Sequence, residues 1–351
     1  MNKNSKIYIA GHNGTAGTAL VDNLKKRGFT NLITKDRSEL DLVDQHAVDK
    51  FFVKEKPEYV FLAAVLPCGA ANVLQRADFI YVNTMIQNNI IHCSYKHDIK
   101  KLIFFGSGYM YPEYSLNPLK EEYMLTGLLE YNAASFGVAK ICGAIMCESY
   151  NIQYGTNFIT LAINNLYGTK ANFDLGNSRV LPALLRKFHL AQLLKNKKYE
   201  QLLADLNFRD LDKAKAYLEN FGISENQVEI WGTGKVKREF LHSDDLADAA
   251  IYIAQNINFK DLYKKEQKIE NTHINIGTGV DYSIKEVAEL VKNIIGFKGD
   301  IFFNSNRPDS SMDRLMDCSK IHSLGWRHKI ELEEGIKMMY RWYLSQKCIG
   351  S

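Results

Sequence analysis

Two short stretches of this chain carry side chains whose types and spacing could do chemistry. The first is KLIFFGS, an apolar run that delivers Ser107 at its carboxyl end. The second is YNAASFGVAK, where Phe136 and Lys140 stand four residues apart and so share one face of a helix. Hydride transfer to a carbonyl needs a proton donor at the oxygen. A tyrosine four residues before a lysine supplies one, because the ammonium lowers the phenol pKa toward neutrality. Here the tyrosine position is phenylalanine, and Phe136 has no proton to give. Taken singly, Ser107 also reads as a strand-end cap and Lys140 as a surface lysine.

A third stretch, IYIAGHNGTAGTAL, spaces Gly11, Gly14 and Gly17 as GxxGxxG between an expected strand and an expected helix. Glycine lets the backbone approach a pyrophosphate, whose charge then sits on the helix N-terminus. Asn13, Thr15 and Ala16 complete the candidate cofactor loop, and Leu62, Ala63 and Ala64 are further candidate contacts. An NAD site places a carboxylate about 20 residues after the loop, on the ribose 2′-hydroxyl. ITKDRSELDL instead sets Lys35 and Arg37 around Asp36. Two cations beside a 2′-phosphate favour NADPH, while Asp36 keeps NADH from being excluded; the alternative is a solvated polar turn.

These residues need elements to hold them. Short apolar runs at Lys6–Ala10, Asn31–Thr34, Tyr59–Ala64, Lys101–Gly106 and Asn157–Asn164 read as strands. Between them, Thr15–Arg27, Ala47–Glu55, Tyr81–His97 and Tyr131–Tyr150 read as helices. Alternating β and α predicts an α/β fold with a doubly wound parallel sheet of Rossmann type. The rhythm changes after Val180, and residues 181–220 read as mostly helical, with Asp212 capping a helix that stops at Gly222. The expected division is a cofactor-binding domain over 1–165 and a smaller α/β substrate domain over 166–351. A segment near 239–256, LHSDDLADAAIYIA, is expected to return to the first.

Composition excludes several classes. Of the 351 residues, 46% are hydrophobic and 24% charged, with a net charge of +4, which suits a soluble globular protein without a nucleic-acid partner. Cys68, Cys93, Cys142, Cys147, Cys318 and Cys348 form no CxxC and no metal-ligand spacing, so reduced thiols and no metal site are expected. No secretory pattern and no bilayer-spanning apolar run stand out, so the expected location is the cytoplasm, away from membranes.

The ordered series IYIAGHNGTAGTAL, ADFIYVNTMIQNNIIH, KICGAIMCESYNIQYGTNF, NLYG, VLPALLRKFH, WGTGKVKREFLHSDDLA, HINIGTGVDYSIKEVAEL and LGW runs nearly end to end. It resembles the GDP-L-fucose synthase family of extended short-chain dehydrogenases, NADPH-dependent GDP-4-keto-6-deoxymannose epimerase-reductases. The resemblance implies NADPH, a GDP-sugar substrate, and a homodimer built through the long helices. Ser107, position 136 and Lys140 match the family's Ser-Tyr-Lys triad. Asn165 and Leu166 begin its cofactor-contacting turn, Asn165 also facing substrate, and Lys187, Trp231, Arg238 and Asp309 fall at its substrate-binding positions.

The departures redirect the reading. The family epimerises C3 and C5 with a cysteine two residues after the serine and a histidine in NSHV. Those positions are Tyr109 and Arg179 here, left as substrate contacts, and neither is a suitable base at neutral pH. The expectation is a C4-reductase acting on a GDP-4-keto-hexose or, as in similar enzymes of bacterial capsule pathways, a GDP-4-keto-heptose. The rivals are a full epimerase-reductase and a non-catalytic GDP-sugar or NADPH binder. Residues 190–224 exceed the family's loop, and their simplest reading is a solvated helical hairpin.

Overall fold

Along β1 (Ile7–Ala10), Ile7 and Ile9 enter one core while Tyr8 and Ala10 enter another, so the strand is covered on both faces. The same alternation holds in β3 (Tyr59–Leu62), where Phe61 opposes Val60 and Leu62, and in β4 (Lys101–Phe105), where Ile103 and Phe105 oppose Leu102 and Phe104. With β2 (Leu32–Ile33), β5 (Phe158–Ile163) and the strand Ile274–Ile276, these form a six-stranded sheet. Its order is β2, β1, β3, β4, β5, then Ile274–Ile276, and every pairing is parallel. This is the doubly wound Rossmann arrangement expected from the sequence. The strand order reverses between β1 and β3, so the carboxyl ends of those two strands flank the switch point where ligands bind.

The computed structural model describes residues 1–67, 74–264, 266, 268–307 and 314–348. Contacts divide the chain into two units. The first comprises Met1–Leu166, Glu239–Val280 and Arg314–Lys329; the second comprises Tyr167–Arg238, Asp281–Asp313 and Ile330–Ser351. In the first unit, α1 (Thr15–Lys26) and the helix Ser243–Asn256 pack together on one sheet face. On the other lie α2 (Gln45–Glu55), α3 (Arg76–Lys96) and α4 (Ala134–Tyr154). The return to this unit runs on to Val280, past the expected 239–256, because Ile274–Ile276 pairs with β5 as the sixth strand. The buried Lys101 ammonium donates to Ala254 O at 3.0 Å and Ile257 O at 2.8 Å, closing the C-terminus of Ser243–Asn256.

Helix boundaries shift for identifiable reasons. Asp44 accepts from the amides of His46 at 2.9 Å and Ala47 at 3.0 Å, so α2 begins at Gln45 and not at Ala47. Tyr131–Ala133 forms a 3-10 turn, which puts Phe136 in the first turn of α4.

In the second unit the helices Val180–Lys195, Tyr199–Leu206, Leu211–Glu219, Ile284–Ile295 and Leu332–Cys348 accompany two parallel strands, Gln227–Trp231 and Asp300–Asn304. The helix cap expected at Asp212 belongs to Asp210, whose carboxylate accepts from Asp212 N at 2.9 Å and Lys213 N at 3.0 Å. That helix ends at Glu219, and Gly222 lies in the turn beyond it. Nor is the 190–224 segment a solvated hairpin. Leu190, Leu194, Leu202, Ala214 and Leu218 are buried, and Asp205 takes Arg186 at 3.0 Å and the Tyr343 hydroxyl. Two helices with apolar inner faces need a covered surface, and the periodicity of 181–220 carried that information. No described helix is long and apolar enough to cross a membrane.

Candidate active site

The loop after β1 closes on itself without side chains. Gly11 has φ +84°, and a Cβ there would lie 2.5 Å from Ala64 Cα. A Cβ on Gly17 would lie 2.1 Å from Gly11 O. The loop is therefore pressed against the end of β3, at Ala63 and Ala64 just past Leu62, and against its own helix. Gly14 caps α1 with no side chain accepting from the first-turn amides of Thr15, Ala16 and Gly17. Those N–H groups and the positive end of a twelve-residue helix form a cradle for an anion. The geometry fits the pyrophosphate of a dinucleotide.

The turn after β2 is more internally paired than the sequence suggests. Lys35 Nζ lies 2.9 Å from Glu39, and Arg37, largely exposed, lies 4.0 Å from Asp41. Asp36 faces the glycine loop, accepting from the Asn13 amide and lying 3.4 Å from His12 Nε2.

At the carboxyl end of β4, Ser107 is extended and caps the 3-10 turn Gly108–Met110, its Oγ accepting from Tyr109 N at 3.2 Å. Capping leaves the Ser107 hydroxyl proton free to be donated, so it does not preclude a chemical role. Lys140 is no surface lysine: it is 4% exposed and donates to Phe105 O at 2.7 Å. Its ammonium lies 4.7 Å from the Phe104 ring centre and 5.9 Å from that of Phe136. The Phe136 ring, 8% exposed, meets Tyr109 edge-on at 6.1 Å. Strand end, 3-10 turn and the first two turns of α4 thus carry Ser107, Tyr109, Phe136 and Lys140. Asn165 and Leu166 follow β5, with Asn165 Nδ2 donating to Glu239 O at 3.2 Å.

Sequence reasoning missed Arg314. Its guanidinium is 7% exposed and donates to Gly108 O at 3.0 Å and Glu130 at 3.2 Å, lying 5.3 Å from the Tyr109 ring centre. Nothing local flags it, since its partners are 206 and 184 residues away.

The remaining substrate candidates belong to the second unit. Lys187 Nζ donates to Phe221 O at 2.7 Å and Glu229 O at 2.9 Å, so it ties the inserted helices to the strand Gln227–Trp231. Trp231 is 60% exposed, not a core aromatic, and Arg307 lies 4.9 Å from its ring centre. Arg179 is exposed at the start of Val180–Lys195, and Arg238 is half-buried and donates to Lys237 O at 2.7 Å. Asp309 lies outside the described residues.

A family model described as the NAD dependent epimerase/dehydratase family matches residues 7–277. The chain belongs to this family. Over 345 residues the chain is 42% identical to an Arabidopsis thaliana protein named putative GDP-L-fucose synthase 2, spanning 98% of this chain and 93% of the relative. The crystal structure of a GDP-6-OMe-4-keto-L-xylo-heptose reductase from C. jejuni is 73% identical, with TM-score 0.95 and 99% of each chain covered. The solved structure of a GDP-mannoheptose C4 reductase from Campylobacter jejuni with NADP bound is 72% identical, with TM-score 0.91, covering 98% of this chain and 99% of that one. The motif series in the sequence pointed to these relatives.

Burial pulls the Lys140 ammonium from 10.5 down to about 7. Between those values the folded chain binds fewer protons than the unfolded chain, so Lys140 makes stability rise with pH. Lys140→Met should remove that contribution. Urea unfolding of both proteins across this window should show the parent gaining on the variant as pH climbs. A difference that stays constant would mean that Lys140 titrates normally in the fold.

Proposed function

We propose that the chain is an NADPH-dependent reductase of the C4 ketone of a GDP-linked 4-keto-6-deoxy-hexose or 4-keto-heptose, serving bacterial surface-polysaccharide synthesis, and that it does not epimerise C3 or C5. The observation that carries this reading is the Ser107–Lys140 cluster at the carboxyl end of β4, in a chain 73% identical to a heptose 4-keto reductase. The α1 N-terminus and the loop from Gly11 to Gly17 hold the cofactor pyrophosphate, with Lys35 and Arg37 toward the adenosine ribose. When bound, the reduced nicotinamide supplies a hydride. Ser107 donates to the C4 oxygen and orients the carbonyl. Lys140, fixed on Phe105 O, binds the nicotinamide ribose. Arg179, Lys187, Trp231, Arg238 and Asp309 serve the GDP-sugar, with arginine forks suited to the diphosphate oxygens. The protein is a cytoplasmic homodimer; support for the dimer comes from Val138, Ile145 and Ile152, exposed on α4 at intervals of seven residues.

The test is incubation with GDP-4-keto-6-deoxymannose in deuterated buffer. With NADPH, the expected product is reduced at C4. Without NADPH, C3 and C5 should exchange no faster than in the absence of protein, because proton abstraction beside a ketone needs a base with a pKa near working pH. Enzyme-dependent deuterium at either carbon would instead establish an epimerase-reductase. The cofactor assignment is tested by Arg37→Ala, expected to weaken NADPH about tenfold while sparing NADH. Equal loss for both cofactors would remove the 2′-phosphate from the argument. Phe136 favours one other reading, a ligand-binding protein without turnover.

A further inference from the structure

We propose that Tyr109 is the general acid of this chain, giving its phenolic proton to the C4 oxygen that position 136 cannot serve. The inference rests on the reductase reading above. Phe136 removes the usual donor but leaves the cluster around it intact, and the ring that meets Phe136 edge-on, at 6.1 Å, is a phenol. Tyr109 stands two residues beyond Ser107, in the 3-10 turn that Ser107 caps, so one short turn carries both hydroxyl side chains. That turn is held firmly against α4. A Cβ on Gly137 would lie 2.4 Å from Tyr109 O, an approach that only glycine permits.

A positive charge beside a phenol stabilises the phenolate it leaves and so makes it the stronger acid, the service a lysine gives to a tyrosine one helical turn away. Arg314 gives it here. Its guanidinium centre lies 5.3 Å from the Tyr109 ring centre and is held there by Gly108 O at 3.0 Å and Glu130 at 3.2 Å. A guanidinium stays charged at every working pH. Arg314 Nε is buried without a hydrogen-bond partner. A donor kept from water and left unbonded points to an oxygen that a ligand or a phenolate brings.

The step balances. The C4 carbon gains a hydride from the reduced nicotinamide, the carbon–oxygen π bond opens, and the oxygen bonds to the proton leaving Tyr109 Oη. The products are the C4 alcohol, the oxidised nicotinamide and a Tyr109 phenolate beside Arg314, which regains its proton from solvent. Tyr109 is thus the catalytic acid and Arg314 the positioning residue.

Tyr109→Phe keeps the ring and its packing, so thermal unfolding and NADPH binding serve as controls for the fold. Single-turnover NADPH oxidation with GDP-4-keto-6-deoxymannose should fall about tenfold or more in Tyr109→Phe. In a Phe136→Tyr background the same change should cost a much smaller factor, since another acid is present. Independently of turnover, the near-ultraviolet phenolate signal lost in Tyr109→Phe identifies the Tyr109 titration in the parent. Arg314→Met should move that titration up by about one pH unit. An unchanged rate in Tyr109→Phe, equal losses in both backgrounds, or a phenolate titration indifferent to Arg314→Met would each overturn the proposal. If Phe136→Tyr is active while Tyr109→Phe matches the parent, only the acid assignment fails. If no version turns over, the reductase reading falls and this proposal with it.

Discussion

Phe136→Tyr should raise the single-turnover rate of NADPH oxidation with a GDP-4-keto-sugar by about 10²-fold, the lower end of what general acid catalysis contributes. That corresponds to roughly 3 kcal/mol of barrier. The substitution adds one hydroxyl to a ring already fixed in the first turn of α4, buried and edge-on to Tyr109. Backbone and packing stay as they are, so binding of both ligands should hardly change. What is gained is an acid above Lys140, whose ammonium lies 5.9 Å from the ring centre. A rate equal to the parent's would show that the proton never depended on position 136. A tyrosine form inert on every GDP-4-keto-sugar tried would favour the binding-protein reading.

Gly17→Ala is expected to be the most damaging single methyl in the first unit. The added carbon would lie 2.1 Å from Gly11 O and 2.7 Å from His12 Cα, both backbone atoms that no rotamer change relieves. The loop must open or α1 must shift its first turn away, and either movement disperses the first-turn amides proposed to face the pyrophosphate. Overpacking costs typically about 1–3 kcal/mol of stability. The expected result is a lowered thermal midpoint together with NADPH affinity weakened by about 10²-fold. Gly14→Ala is the informative control for stability, because its nearest atom beyond chain neighbours would be Gly11 O at 3.6 Å. Fluorescence titration with NADPH and thermal unfolding of all three proteins decide the matter. A Gly17→Ala protein that binds as the parent does would mean that the loop is not the cofactor cradle.

Local features were readable in the sequence, and distant ones were not. The glycine spacing, the apolar runs of β1 to β5 and the four-residue interval from Phe136 to Lys140 depend on neighbours along the chain, so they left periodic signals. The doubly wound sheet followed from their alternation. Ile274–Ile276 was passed over as a sheet strand because three residues carry too little pattern to separate strand from loop. Asp210 lost to Asp212 in the reading because both are acidic and only backbone direction selects which one caps. The burial of Lys140 and the placing of Arg314 arise from contacts between remote segments, and a lone arginine in MDRLMD resembles any solvated one. The pairing of Lys35 with Glu39 was visible at an interval of four residues, yet the ribose argument drew attention to the cations alone.

The first unit is assembled from three separated stretches of chain, and this constrains how it is made on a ribosome. When synthesis reaches Leu166, five of the six strands exist, but β5 still presents a bare edge and α1 lacks the helix that packs beside it. That edge stays open while most of the second unit is threaded out, until Ile274–Ile276 emerges to close it. Through that interval the nascent polypeptide carries an unpaired strand and an uncovered apolar face, the features that invite misassembly between neighbouring chains. The glycine loop lies at the start of the message, but the unit that holds it is complete only when its last stretch, Arg314–Lys329, joins.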